Sequence, residues 1–145
     1  MPWYTICLLI VGIVAVFAAA VWRNNHSTYK DFRHIFGVDY PDKKTVSADV
    51  RKAVVFRITD KRNELAQMAK ENEKLRADIE VMPRATGEEV LSYLAQKEEY
   101  AKHTKRLDRV RSEFDGWCFM VNGAGMYAEV AAVGWTPPVE DFDGR

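Results

Sequence analysis

The chain begins with a long apolar run. Residues 3–22, WYTICLLIVGIVAVFAAAVW, contain no charged side chain. As a helix rising about 1.5 Å per residue, this run is about 30 Å long, which is the thickness of the hydrocarbon core of a bilayer. Tryptophan and tyrosine at its two ends match the aromatic belts of membrane helices. We therefore expect residues 1–23 to form a transmembrane anchor. Its membrane-interface residues are Trp3, Tyr4, Trp22 and Arg23.

Two other interpretations of this run have less support. A cleaved signal peptide is suggested by Ala18, Ala19 and Ala20, which provide the small residues that a signal peptidase accepts. Against it, no Lys or Arg precedes the run, whereas a signal peptide starts with a positively charged region. A buried core helix needs other segments to cover it, and nothing else in the chain is large enough.

Residues 24–46 form a juxtamembrane amphipathic segment and a loop. Tyr29, Phe32 and Phe36 are spaced at i, i+3 and i+7, which places three aromatic rings on one helical face. Gly37 then predicts a helix C-cap, and Pro41 breaks the periodicity in a connecting loop. Two interpretations remain open at this point: an interfacial helix under the headgroups, or a continuation of the anchor whose aromatic rings pack on a neighbour.

The clearest periodicity lies in residues 47–82, which we expect to form a coiled-coil helix. Alternating spacings of three and four residues connect the positions Ile58, Lys61, Leu65, Met68, Asn72, Leu75, Ile79 and Met82. Six of these eight are apolar, as in a coiled-coil seam. Asn72 occupies an a position, where a polar residue fixes the register and favours two strands.

The charges beside this seam favour a parallel homodimer. Glu71 occupies a g position and Arg76 an e position, so parallel pairing sets each glutamate against the arginine of the partner chain. Two copies inserted in a membrane in the same direction also start out parallel. The expected oligomer interface is Ile58, Leu65, Met68, Asn72, Leu75, Ile79 and Met82.

The same seam can also be covered within one chain. Pro83 ends the helix, and Thr86 with Glu89 predicts a capping box that opens a second helix within residues 83–116. A four-residue link suits an antiparallel helical hairpin. A parallel dimer, an intramolecular hairpin and a dimer of hairpins all remain possible architectures, and each gives an all-α fold.

Residues 117–145 combine an apolar segment with an acidic tail. The stretch VNGAGMYA resembles a phosphate-binding glycine loop, but the chain offers no parallel sheet to hold one, so a nucleotide site is not expected. Three interpretations of 117–135 stay open: a β-hairpin turning at Asn122 and Gly123, a helix packed through small residues, and a second membrane segment made costly by Asn122 and Glu129.

Charge distribution predicts the orientation of the chain. The 21 basic and 21 acidic residues cancel overall, so only their placement carries information. No Lys or Arg precedes the anchor, whereas Arg23, Lys30 and Arg33 follow it closely, and the positive-inside rule then places the C-terminal part in the cytoplasm.

Candidate chemistry is sparse. The histidines His26, His34 and His103 and the cysteines Cys7 and Cys118 are too scattered to form a metal site. No nucleophile, general acid or general base stands out, so we expect no catalysis, no cofactor, no metal and no nucleic-acid partner. Cys118 is expected to be a small buried apolar residue.

Two functional classes follow from this layout. The first is a single-pass membrane-anchored coiled-coil protein that acts as a scaffold or tether and contacts an unknown protein partner through residues 117–135. The second is an envelope-spanning tether with its coiled coil outside the cytoplasm. The layout of anchor, coiled coil, hinge and second helix, with YKDFR after the anchor and KENEKLRADI in the helix, is similar to that of the inner-membrane spanin subunits of phages, and this resemblance covers roughly the first 80 residues.

Overall fold

The computed structural model describes residues 2–42 and 44–138. These residues form four helices and no strand: α1 (Trp3–Phe36), α2 (Ala48–Glu80), α3 (Gly87–Gly123) and α4 (Tyr127–Ala132). The expected all-α fold with one long apolar N-terminal helix is confirmed. The acidic tail expected at the C-terminus lies outside the described residues.

Helix α1 is continuous from the apolar run into the juxtamembrane segment. It has no interruption near residue 23 and ends at Gly37, whose backbone has φ 70° and whose N–H donates to the carbonyl of Arg33 at 2.9 Å. A positive φ of this kind suits glycine, so the predicted C-cap is confirmed. Residues 24–36 continue the apolar helix, and their Phe32 and Phe36 side chains are buried against the rest of the chain.

Helices α2 and α3 form an antiparallel hairpin. Ser47 caps α2 by accepting a hydrogen bond from the N–H of Val50 at 3.3 Å, and the helix ends three residues before Pro83. Thr86 and Glu89 form the predicted capping box at the start of α3, with bonds of 3.1 and 3.2 Å between each side chain and the backbone N–H of the other. These local signals therefore set both ends of the connection.

The second helix is longer than expected. From the sequence it was expected within residues 83–116, but α3 continues through Gly116 to Gly123. One glycine in a helix interior costs only about 1 kcal/mol, and the buried Cys118 and Val121 beyond it anchor the extra turns. Residues 117–135 consequently form the end of α3, a tight turn and α4. The segment is helical on both sides, but the small residues Ala124 and Gly125 form the turn and not a packed helix, so none of the three open interpretations describes it fully.

One hydrophobic cluster joins all four helices, and we call it the base core. It consists of Phe32, Phe36, Val54, Ile58, Phe114, Cys118, Val121, Ala124, Met126, Val130, Val133 and Trp135. A smaller cluster of Met68, Leu107 and Val110 lies further along the hairpin. The hairpin is therefore fixed at its base and more thinly packed toward its connection.

Candidate functional site

The apolar part of α1 is the first candidate interaction surface. None of its most apolar 18-residue window is buried by the rest of the chain, and it is the one helix among the described residues that is long and apolar enough to cross a membrane. A core helix of a soluble domain would be covered by its own fold, so that interpretation does not fit α1. The predicted interface residues Trp3, Tyr4, Trp22 and Arg23 are all exposed on it.

The C-terminal end of α1 is held firmly in the base core. The Phe32 side chain is fully buried, and the ring of Phe36 lies 6.0 Å from that of Trp117 in an edge-on arrangement. Arg57 of α2 also donates from Nε to the carbonyl of Ile35 at 3.1 Å. The apolar helix and the hairpin are thus parts of one packed unit.

The contacts of α1 fix the direction in which the hairpin extends. Tyr40 folds back onto the rings of Tyr29 and Phe32, at 4.9 and 5.1 Å, and its hydroxyl lies beside Gly123 at the end of α3. Four residues further along α1, Phe36 contacts Trp117, which precedes Gly123 in α3. Moving away from the apolar run along α1 therefore means moving backward along α3, so the hairpin connection points away from that run.

The predicted oligomer interface faces α3 of the same chain. Ile58 lies in the base core, Met68 lies in the smaller hairpin cluster, and Leu65 packs against both. The remaining apolar members, Leu75, Ile79 and Met82, are half-buried. In this chain the helix that packs against the seam is α3, and the expected pairing of the seam with a second chain stays a prediction.

The polar residues of the seam also have partners within the hairpin. Oδ1 of Asn72 lies 3.0 Å from Nδ1 of His103 and accepts a hydrogen bond from the Thr104 hydroxyl at 3.2 Å. Because an amide oxygen only accepts, the histidine tautomer that fits carries its hydrogen on Nδ1. Asn72 therefore has its hydrogen-bond partners on α3 of the same chain and does not need a second chain to satisfy its side-chain oxygen.

Lys61 links the two helices near the base. Its Nζ lies 2.9 Å from a carboxylate oxygen of Glu113 and 3.1 Å from one of Glu64, and 5.0 Å from the ring centre of Trp117. Burial of the ammonium opposes its charge, but the hydrogen bonds to Glu113 and Glu64 outweigh this and raise the pKa of Lys61. A cation in the seam is thus stabilised in its charged form.

An ion pair joins the start of α2 to α4. Arg51 donates from Nη1 to Oε1 of Glu129, whose side chain is 13% exposed, whereas that of Arg51 is 43% exposed. The other carboxylate oxygen, Oε2, is buried and has no hydrogen-bond partner among residues 2–42 and 44–138. From the sequence, Glu129 was expected only as an obstacle to membrane insertion, because no spacing signal connects residues 78 positions apart.

Cys118 is buried at the centre of the base core. Its side chain is 0% exposed, and desolvation, with a smaller contribution from the charge of Asp115, raises the pKa of the thiol to about 12. A thiol in this state is a weak nucleophile at neutral pH. The expectation of a buried small apolar residue fits this position. Among the described residues no group of three or more metal-binding side chains comes together.

An apolar patch remains exposed near the hairpin connection, and we call it the tip patch. It consists of Val90, Leu91 and Leu94, which are 38%, 69% and 53% exposed. At about 100° per residue, Leu91 and Leu94 lie roughly opposite the buried Leu107 and Val110, and so on the side of α3 away from α2. This patch was not expected from the sequence, because only the stripe of residues facing the first helix was considered.

No protein-family model, curated protein or solved structure matches this chain. Its function is therefore inferred from the anchor helix, the base core and the hairpin.

Proposed function

We propose that this protein is a single-pass membrane-anchored structural subunit that holds a helical hairpin on the cytoplasmic side of a membrane for contact with other proteins, and that it is not an enzyme. The observation that carries the proposal is the continuity of α1. One helix runs from an exposed apolar stretch of about 20 residues into the buried Phe32 and Phe36 without a break. A flexible linker would let the hairpin rotate freely relative to the anchor, whereas this continuous helix fixes the hairpin to the anchor.

The hairpin has the dimensions of a spacer. The 33 residues of α2 correspond to about 50 Å, and the contacts of Phe36 with Trp117 direct the connection away from the anchor. The tip patch then lies at the end of the molecule furthest from the bilayer. Exposed apolar side chains at that place are suited to contact with another protein.

Self-association is proposed to take the form of a dimer of hairpins. The seam of α2 is covered by α3, so a second chain would pack against surface that remains exposed, and the tip patch provides such surface. Two anchors inserted in the same direction bring the two tips to the same height. This arrangement keeps the expected parallel orientation while leaving the Asn72 hydrogen bonds intact.

The cytoplasmic orientation is supported by Arg23, Lys30 and Arg33, which follow the apolar run closely. An envelope-spanning tether of the spanin-like kind requires the opposite side. The orientation therefore separates the two functional classes.

Cysteine cross-linking in membranes tests the proposed assembly. In a Cys7→Ser background, Leu91→Cys should form a disulfide-linked dimer on mild oxidation. Ser92→Cys is the matched control, because it is exposed on the same turn but about 100° around the helix. Cys118 does not interfere, since it is buried. Equal cross-linking of both variants, or none in either, would contradict a dimer through the tip patch.

A further inference from the structure

A cleft lies on the side of α1 just beyond the apolar run, and we call it the juxtamembrane cleft. Its volume is about 390 Å³, and it is lined by His26, Tyr29, Lys30, Arg33, Asp39 and Tyr40. This volume lies within the range of small-molecule sites in proteins. Neither membrane anchoring nor the packing of the hairpin gives this cleft a role.

The fold of the loop after α1 forms one wall of this cleft. Tyr40 is brought back against Tyr29 with ring centres 4.9 Å apart, and it contacts Phe32 of the base core at 5.1 Å. Because Phe32 is fully buried, its contact with Tyr40 fixes the position of the loop. The shape of the cleft therefore depends on the packing of the base core and not on the rotamer of a single exposed side chain.

The basic residues of the cleft follow the apolar run closely enough for their side chains to extend toward lipid headgroups. Lys30 follows Trp22 by eight residues, or about 12 Å of helix, and Arg33 by about 16 Å. Side chains on a helix lean toward its N-terminus, here toward the membrane, and long basic side chains extend several ångströms further. Their charged groups therefore reach toward the headgroup layer that borders the hydrocarbon core.

The charge of the cleft favours an anion. Lys30 and Arg33 both line it, and the one acid among its lining residues, Asp39, lies 3.5 Å from Nε of Arg33. The two side chains of that ion pair are 75% and 84% exposed, so the pair contributes little and gives way readily to a stronger partner. A phosphate group accepts hydrogen bonds from Lys and Arg in the way such a partner requires.

We propose that the juxtamembrane cleft binds the phosphate of an anionic phospholipid through Lys30 and Arg33. The proposal rests on the membrane anchoring of α1 given above. The lipid contact would hold the hairpin and the base core at a fixed distance from the bilayer and in a fixed rotation about the axis of α1. Anionic lipids are concentrated in the cytoplasmic leaflet, where the basic flank of α1 is expected to lie.

Electron spin resonance of spin-labelled lipids around the reconstituted full chain tests this proposal. The measured quantity is the association of spin-labelled phosphatidic acid relative to phosphatidylcholine. Two basic groups near the surface give at most roughly a thirtyfold preference, and Asp39 reduces it, so about three- to tenfold is expected. The double variant K30Q/R33Q should lower this ratio to about one.

Matched variants separate the cleft from general charge. K70Q/K74Q removes the same two charges from exposed positions on α2 and should keep the preference. D39N removes the competing carboxylate and should raise it. A wild-type ratio near one, an equal loss in both double variants, or no rise in D39N would overturn the proposal.

Two further measurements identify the source of the phosphate and the state of the anchor. Inorganic phosphate at millimolar concentration should leave the lipid preference unchanged, and its loss would overturn the assignment to a lipid in favour of a soluble phosphate. Co-flotation with vesicles should be the same for every variant. A chain that fails to float contradicts the membrane anchor itself, which is a different outcome from a floating chain without lipid preference.

Discussion

Oδ1 of Asn72 and Nδ1 of His103 lie 3.0 Å apart across the α2–α3 hairpin. The Thr104 hydroxyl donates to the same oxygen at 3.2 Å. The polar position in the heptad seam therefore has its partners in the same chain. Because the alternative partner is the asparagine of a second chain, the role of Asn72 distinguishes a hairpin from a two-stranded coiled coil.

Replacing Asn72 with leucine should destabilise the protein. The substitution leaves the half-buried His103 and Thr104 without their shared acceptor, at a cost of about 1–2 kcal/mol. A parallel coiled-coil dimer would instead gain stability from leucine at an a position. Equilibrium unfolding of the full chain in detergent, followed by circular dichroism, measures the difference. Asn63→Leu is the control, since Asn63 is exposed on the same helix and should change stability little.

The Arg51–Glu129 pair should respond unequally to loss of its two members. Arg51→Met leaves a nearly buried carboxylate without its cation and should cost about 2 kcal/mol. Glu129→Gln should cost less, because it removes the charge itself, and Oε2 has no hydrogen-bond partner in the part of the chain that the structure describes. Unfolding free energies of the two variants measure this order. A larger loss of unfolding free energy in Glu129→Gln than in Arg51→Met would contradict this order. It would show that the favourable interactions of the carboxylate outweigh the cost of burying it.

Lys61 should contribute more to stability than an exposed lysine in a similar pair. Lys61→Gln removes the bridge to Glu113 and Glu64 and should cost about 1 kcal/mol. Lys102, paired with Glu98 on the surface of α3, is the control, and Lys102→Gln should leave the melting temperature unchanged.

The contribution of Lys61 also depends on pH. Since the pKa of Lys61 is raised in the folded chain, the contribution is fully present below about pH 10.5 and is lost as the pH rises through the folded value. Equal effects of the Lys61 and Lys102 substitutions would contradict the bridging role.

Cys118 should make the base core sensitive to alkali. Folding raises its pKa from 9.0 to about 12, so the folded state disfavours the thiolate, and the associated stability is present below pH 9 and is lost as the pH rises toward 12. In a Cys7→Ser background, the stability advantage of Cys118 over Cys118→Ala should therefore shrink between pH 8 and pH 10.5. Urea unfolding at several pH values measures it, and a constant difference would contradict a buried thiol.

Local signals in the sequence predicted the end of α1 and the connection between α2 and α3. Gly37, Pro83 and the pair Thr86 and Glu89 act within about one turn of their own positions, so their effects can be recognised without knowing the fold. The heptad periodicity of α2 likewise identified a packing face. It did not identify the covering helix, because Asn72 is equally satisfied by His103 or by a second chain.

Long-range pairings were not predictable in the same way. The second helix was expected within residues 83–116, whereas burial of Cys118 and Val121 extends it to Gly123. The Arg51–Glu129 pair joins elements distant in sequence, and no periodicity relates them. The juxtamembrane cleft depends on Tyr40 turning back onto α1, which only the packed loop reveals.

We propose that α1 crosses a membrane and leaves the hairpin on the cytoplasmic side. Two single-cysteine reporters in a Cys7→Ser background test it in intact cells whose outer layers admit a membrane-impermeant maleimide. Pro2→Cys reports the N-terminal side of α1, and Ala85→Cys reports the exposed hairpin connection. Cys118 is buried and should label only after denaturation, which provides an internal check of folding.

If α1 spans the membrane in this orientation, Pro2→Cys should label in intact cells, and Ala85→Cys should label only after the membrane is permeabilised. Labelling of both reporters from the same side would contradict a membrane-spanning α1. Labelling of Ala85→Cys in intact cells, with Pro2→Cys protected, would contradict the cytoplasmic orientation and support an envelope-spanning tether in its place.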